Sequence, residues 1–299
     1  MKNRIYSIDQ NNQELVNLLA GALGGQVSDV ELRRFPDGES YLRVMDSCEG
    51  VDAIVVCSLQ QPDEKILPLL FLADTLKELG AASVGLVAPY LCYMRQDIRF
   101  KPGEAISSRT FASLISQKFD WLVTVDPHLH RYNRLDEIYS IPDRIVSSAP
   151  AIASWLANKV EKPLLVGPDS ESDQWLSEIS GLSGIPYLCL EKERSGDRQV
   201  KITSDKLAPW SDHHPILIDD IISSGHTMLE TIKYLQQAGM NAPLCIGIHA
   251  LFGEQTYKSL QASGAKVISC NTVSHTSNKI DVNPAIVTQV AAMKAHKDS

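Results

Sequence analysis

Several familiar signals are missing from this chain, and each gap narrows what it can be. No stretch approaches the roughly 20 consecutive apolar residues that a membrane-spanning helix needs, so none is expected. The opening segment, "MKNRIYSIDQNNQ", has no apolar core of the kind a secretory signal carries. Cysteine is sparse: the six residues are scattered without the spacing of a zinc site or a disulfide framework. That usage points to a reducing interior. Positive charge is in deficit, 28 Lys+Arg against 36 Asp+Glu, which leaves no general electrostatic footprint for nucleic acid. An anionic ligand must therefore meet a local positive site. There is no short-period repeat and no low-complexity tail. The expected class is a soluble cytoplasmic protein, and 299 residues suffice for two domains.

What is present alternates. Apolar, β-rich runs at 53–57, 83–88, 121–125, 164–166, 216–218, 245–249 and 266–270 read as strands. Amphipathic stretches lie between them. One covers 62–79, with Pro62 at a first helical position and Gly80 just past the end; others cover 106–119 and 227–238. Near-continuous apolar strands separated by helices indicate an α/β fold with a mainly parallel sheet flanked by helices. Two halves, 1–145 and 146–299, each hold enough strands for such a domain, with "SSAPAIASW" as the joint. In open parallel sheets ligands bind beyond the carboxyl ends of the strands. Here those ends read "VAPYLCYMRQD", "VDPHLH", "VGPDSES" and "IDDIISSGHT", all rich in ionisable groups.

The last of these carries the clearest chemistry. In "ILIDDIISSGHT" an apolar run stops on Asp219 and Asp220 and turns through Ser223, Ser224, Gly225, His226 and Thr227. A helix follows, with Met228, Ile232 and Leu235 spaced for one buried face. Its N-terminus offers unpaired N–H groups and partial positive charge, which suit a phosphate. Gly225 lets the backbone come close, and the hydroxyls of Ser223, Ser224 and Thr227 add donors. The acids cannot bind phosphate, but they can accept from sugar hydroxyls or help hold a metal ion. Together these describe a sugar-phosphate pocket. A buried strand followed by a capped helix, with Ser223 or Ser224 as N-cap, accounts for the same residues. The segment alone leaves both readings open.

This stretch resembles the ribose-phosphate-binding motif of type I phosphoribosyltransferases and ribose-phosphate pyrophosphokinases, in which "DD" precedes a D-T-G-G-T loop. Here Ser223 replaces the loop's first acid and His226 its second glycine. Other segments separate the two groups. "RRFPDGESYLRV", by itself ordinary hairpin chemistry, resembles the pyrophosphokinase segment that meets the adenine of ATP. "PYLCYMRQDIRFKPGEAIS" is similar to that family's P-Y-x-x-Y-x-R-Q-D segment. "VDPHLHRY" matches its D-x-H at Asp126 and His128, and "GPDSES" its P-D at Pro168 and Asp169. Glu171 and Ser172 stand there in place of small residues. "EKERSG" supplies a K-x-R pair. The resemblance runs in the family's order from about Ile5 to Thr272.

The resemblance implies two phosphoribosyltransferase-like domains and a ribose-phosphate pyrophosphokinase acting on ATP and ribose 5-phosphate. It implies that Phe35, Asp37, Gly38, Glu39, Arg95 and Gln96 hold ATP. Asp219, Asp220, Ser223, Ser224, Gly225, His226, Thr227 and Arg194 would hold ribose 5-phosphate. His128 and Asp169 would bind Mg²⁺, and Lys192 and Arg194 would act on the transferred group. It further implies a homo-oligomer with the ATP site at a subunit contact. His130 lies two residues past His128 and is not required by the pattern. The alternatives are a type I phosphoribosyltransferase and a catalytically silent regulatory homologue.

Overall fold

The computed structural model describes residues 2–157, 159–190, 193–194, 200–201 and 207–297; of 193–194, 200–201 and 296–297 it describes the backbone alone. The chain forms two compact units, Met1–Val146 with Asn283–Ser299, and Ser147–Val282.

The first unit is built on strands β1 (Lys2–Ser7), β2 (Gln26–Val27), β5 (Val51–Val56), β6 (Ser83–Ala88), β7 (Trp121–Val125) and β8 (Asp143–Val146), all parallel, in the order β2-β1-β5-β6-β7-β8. Strands β5, β6 and β7 are buried along their whole length, which is why they read as continuous apolar runs. A separate antiparallel hairpin, β3 (Val30–Arg34) and β4 (Ser40–Val44), packs through β4 on helix α2 (Ile66–Glu78). Helix α2 buries Leu69, Leu72, Ala73 and Leu76, an i, i+3, i+4, i+7 stripe. Its Leu67 and Phe71 remain exposed. Helices α1 (Gln13–Ala22) and α3 (Ser107–Lys118) complete the connections.

The second unit repeats the plan. After α4 (Ala149–Leu156), strands β9 (Pro163–Gly167), β10 (Tyr187–Cys189), β13 (His214–Ile222), β14 (Leu244–Ala250), β15 (Lys266–Cys270) and β16 (Asn278–Ile280) form a parallel sheet in the order β10-β9-β13-β14-β15-β16. A two-stranded pair, β11 (Glu193–Arg194) with β12 (Val200–Lys201), stands apart from that sheet. Helices α5 (Asp173–Ser183), α6 (His226–Gln237) and α7 (Glu254–Ala262) join the strands. Helix α6 buries Met228, Ile232 and Leu235 as the periodicity predicts, together with Thr231. The Thr231 hydroxyl is satisfied by the carbonyl of Thr227 at 2.9 Å.

The last helix, α8 (Asn283–Lys297), differs from the contiguous 146–299 expectation by returning to the first unit, where it packs on α1, β7 and β8. Its Ile286, Val290 and Met293 are buried, and Lys294 Nζ meets Asp52 Oδ2 of β5 at 2.8 Å. Asp52 also accepts from Ser83 Oγ on β6. A reading that follows the chain in order has no signal for such a return.

One glycine is required by the sheet itself. Gly85 of β6 lies opposite Trp121 of β7, whose indole covers it and is 1 % exposed. A Cβ at position 85 would fall inside that ring. Gly85→Ala is therefore expected to destabilise the protein by about 1–3 kcal/mol through overpacking. Denaturant unfolding checks this, and a change under about 0.5 kcal/mol, the scale of an ordinary surface substitution, contradicts it.

Candidate active site

Each sheet has one place where the strand order reverses, and a crevice opens at the carboxyl edge there. In the second unit it lies between β9 and β13. Pairing of β13 with β9 ends at Leu217, while pairing with β14 continues to Ile222. The strand thus runs through both acids, whereas the apolar pattern alone ends it at Ile218. Asp220 is 4 % exposed and accepts from the Ile221 N–H at 2.7 Å; Asp219 is half-buried. Burial holds the Asp219 carboxyl well above the usual carboxylate range. The Asp220 and Asp169 carboxylates add to that effect, and the Asp220 N–H opposes it.

Asp169 ends the β9 side of this crevice. Its Oδ1 accepts from Glu171 N at 3.1 Å and so caps the short 3-10 turn Ser170–Ser172. That turn sits against the strand because Gly167 leaves room: a Cβ at 167 would lie 2.6 Å from Ser172 Cβ and 2.7 Å from Leu176 Cδ1. The two departures at this motif therefore differ in kind. Ser172 is buried against Gly167, and Glu171 is exposed. The glycine before "PDSES" was the available signal for this close approach.

The loop after β13 is a turn into α6. Gly225 is the N-cap with φ +72°, and a Cβ there would meet Thr256 Cγ2 at 2.6 Å, so glycine is needed on both counts. His226 is the first residue of α6 and is not among the positive-φ residues. Its ring reaches along the helix, Nε2 to Glu230 Oε1 at 3.1 Å, and both side chains are largely exposed. A histidine is thus accommodated where the resemblance has glycine, because this position takes helical backbone. Ser224 Oγ faces the His226 N–H at 3.4 Å. Ser223 and Thr227 are half-buried beside it.

The first sheet reverses between β1 and β5, and there the chain's own groups are paired. Lys65 Nζ donates to Asp9 Oδ2 at 2.7 Å and to the Ser58 carbonyl at 2.8 Å. Asp9 follows β1 and Ser58 follows β5; both are buried. The expected nucleotide and metal residues of this unit lie elsewhere, after β6 and β7 and on the β3–β4 hairpin. Arg95 is exposed, and Gln96 Nε2 donates to Glu104 Oε2 at 3.2 Å and to the Ile98 carbonyl at 3.1 Å. The His128 and His130 rings lie against each other at a tilt of 40° with centroids 3.5 Å apart, so His130 accompanies His128. Tyr93 (φ +60°) and Asp126 (φ +31°) each precede one of these groups by two residues; they are two of the four described non-glycine residues with positive φ. Such backbone is held only where surroundings fix it, and it gathers at functional sites. The Tyr93 hydroxyl donates to Asp63, which pushes it up to about 12.

Phe35, Asp37, Gly38 and Glu39 form the tip of the β3–β4 hairpin. Phe35 N donates to the Glu39 carbonyl at 2.8 Å, Gly38 takes φ +97°, and Asp37 Oδ1 accepts from Glu39 N at 3.2 Å. The Phe35 ring is 40 % exposed, meets Tyr41 edge-on and has the Arg33 guanidinium 4.8 Å from its centroid. Beside it lies a hollow of about 450 Å³ lined by Phe35, Tyr41, Leu42, Phe71 and Thr75 among others. Lys192 lies outside the described residues. Arg194 is placed by its backbone alone, opposite Val200 in the β11–β12 pair.

Two family models match this chain: the N-terminal domain of ribose phosphate pyrophosphokinase over residues 4–118, and a phosphoribosyl transferase domain over residues 135–285. The ribose-phosphate pyrophosphokinase of Sulfurisphaera tokodaii is 30% identical over 292 residues, 95% of this chain and 96% of that one. The chain belongs to the ribose-phosphate pyrophosphokinase family. The pyrophosphokinase of Methanopyrus kandleri is 33% identical, covering 91% of this chain and 93% of its own. Among solved structures, a phosphoribosylpyrophosphate synthetase from Mycobacterium smegmatis superimposes with a TM-score of 0.84 at 23% identity, covering 99% of this chain and all of that one. A likeness at that identity speaks for the shared fold. His128 falls between the two stretches that the family models match.

The raised Asp219 carboxyl makes a pH prediction. A group whose folded value lies above its unfolded one favours the folded state at low pH. That contribution is fully present below the unfolded carboxylate value of about 4 and is lost as pH rises through the folded value. Asp219→Asn is therefore expected to raise the melting temperature of the ligand-free protein more at pH 8 than at pH 4. An equal shift at both pH values contradicts the assignment.

Proposed function

We propose that this chain transfers the diphosphoryl group of ATP to the 1-hydroxyl of ribose 5-phosphate, giving phosphoribosyl pyrophosphate and AMP. One observation carries the reading: Asp219, Asp220 and the Gly225-capped start of α6 share the carboxyl edge of the second sheet at its strand reversal. Acceptors for sugar hydroxyls and N–H donors for a phosphate thus stand within a few residues of one another. Ser223, Ser224, Gly225, His226 and Thr227 hold the 5-phosphate, mainly through backbone N–H. Asp219 and Asp220 accept from the ribose hydroxyls.

Phe35 stacks on the adenine, with Asp37, Gly38 and Glu39 at its polar edges. Arg95 holds phosphate oxygens through its planar fork, and Gln96 serves the same nucleotide. The 1-hydroxyl oxygen attacks the β-phosphorus and gives up its proton to solvent, the bond from that phosphorus to the α–β bridging oxygen breaks, and AMP leaves with that oxygen. Lys192 and Arg194 stabilise the charge on the migrating group. Such transfer depends on alignment and charge neutralisation more than on a protein nucleophile.

Mg²⁺ fits the donor set: the mutual repulsion of Asp169, Asp219 and Asp220 is the environment that a hard cation with oxygen ligands relieves. Asp169 and His128 are its proposed protein ligands, and when bound it supplies charge neutralisation at the phosphate oxygens. The exposed Leu32, Phe35, Leu67 and Phe71 on the hairpin and α2 support a homo-oligomer with the adenine site at a subunit contact. A cytoplasmic location accords with this chemistry, and no helix among the described residues is long and apolar enough to cross a membrane.

Appearance of AMP from ATP, dependent on both ribose 5-phosphate and Mg²⁺ and abolished by a chelator, is the expected result. Folded protein that forms none is a silent homologue. Protein that instead consumes phosphoribosyl pyrophosphate with a base is a transferase. Lys192→Ala is expected to lower kcat by about 10²–10³ while leaving the unfolding midpoint in place; near-normal turnover removes Lys192 from the mechanism.

A further inference from the structure

Asp97 completes the R-Q-D segment, and neither the motif nor the mechanism gives it a task. It is a carboxylate 2 % exposed in a loop, an unusual place for a charge. Both of its oxygens lie within hydrogen-bonding distance of one nitrogen of Arg131, Nη1, at 2.9 and 3.1 Å. Arg131 belongs to the next loop of the same sheet and directly follows His130. A second bond runs parallel: the Tyr132 hydroxyl donates to the Asp97 carbonyl at 3.2 Å, and Arg109 Nε of α3 donates to that hydroxyl at 3.3 Å. The Arg131 guanidinium also lies 5.2 Å from the centroid of Phe100.

The far side of the first loop is tied as well. Glu104 Oε2 accepts from Phe100 N at 2.8 Å, Lys101 N at 2.9 Å and Gln96 Nε2 at 3.2 Å. A path therefore leads from Gln96 along the chain to Asp97, across the ion pair to Arg131, and along the chain again to the adjoining rings of His130 and His128. Both loops leave their strands through positive-φ residues, Tyr93 and Asp126. Backbone of that kind persists only where surrounding contacts over-determine it. The Asp97–Arg131 pair links the two loops a few residues beyond those points.

We propose that Asp97 and Arg131 are positioning residues for the transfer reaction: their clasp fixes the spacing between the Arg95–Gln96 segment and the His128–His130 pair. The inference rests on the ATP-site reading above. Arg95 and Gln96 hold the nucleotide, and His128 is a ligand of its cation, so a change in loop spacing is felt in nucleotide use. Neither clasp residue touches the sugar phosphate on this reading. Arg131 is 43 % exposed on its side chain against 2 % for Asp97, so Arg131 rehydrates when its partner is neutralised, and Asp97→Asn is the milder substitution.

The test uses Asp97→Asn, Arg131→Gln and the double variant of the full chain, each with its unfolding midpoint recorded. Each single substitution is expected to raise KM for ATP about tenfold and to leave KM for ribose 5-phosphate within about twofold, and the double variant to be no worse than the poorer single, as one shared interaction requires. Additive effects, or equal rises in both KM values, overturn the proposal. Arg131→Lys keeps the charge without the guanidinium's reach and its planar face toward Phe100, and is expected to fall between wild type and Arg131→Gln. Wild-type protein that forms no AMP would remove the ribose-phosphate reading and not the clasp. Hydrogen exchange of segments 95–104 and 128–132 is therefore followed in the same variants. Joint loss of protection in both segments from either substitution supports the clasp, and loosening confined to the substituted loop overturns it.

Discussion

A parallel sheet can reverse its strand order at one place, and there the two neighbouring connections leave in opposite directions and expose a crevice. Everything chemically distinctive in the second unit depends on that constraint. Strand β13 keeps β14 from Ile216 to its end and loses β9 after Leu217, so its last five residues have sheet on one side only. Two carboxylates are tolerable there and would not be in the middle of the sheet. Burial first, and then the neighbouring carboxylates of Asp220 and Asp169, lift Asp219, and a positively charged or hydrogen-bond-donating group at this edge would relieve both. The following turn brings the opposite polarity, the N-terminus of α6, to the same edge.

The first unit uses the same scaffold differently. Its candidate residues sit on loops after β6 and β7, the fourth and fifth strands of the row, and on a hairpin outside the sheet. Loops there must be stiffened by their own side chains, since no sheet holds them. Glu104, gathering three N–H groups, and Asp97, buried against Arg131, are the means. Phe35 gets its rigidity from a turn closed by backbone bonds and from Arg33 and Tyr41 packed around its ring.

Much of this was legible in the residues. The buried strands β5, β6, β7, β14 and β15 announce themselves because both faces are apolar, and α6 because its buried stripe has helical spacing. The acids and the glycine of "IDDIISSGHT" locate the crevice, since chemistry there requires particular residue types. Other parts were hidden for physical reasons. Strand β1 carries polar residues in an interior position, so its run is broken. Strands β10 and β16 have three residues each, too few for any period. Helix α8 pairs with residues far upstream, and nothing local records that. The fit of His226 depended on backbone angle, which the residue name does not give. Asp97 and Arg131 lie 34 positions apart, so their partnership exists only in the folded chain.

The Lys65–Asp9 pair bears on how many sugar phosphates one chain can take. Two copies of one sheet plan would suggest two equivalent crevices. In the first copy the reversal point is spanned by an ammonium that neutralises the carboxylate and ties the ends of β1 and β5 together. A ligand entering there would have to separate this largely buried ion pair without replacing both of its charges. The two copies of the plan therefore differ where it matters most, one latched from within by Lys65 and the other edged by Asp219 and Asp220.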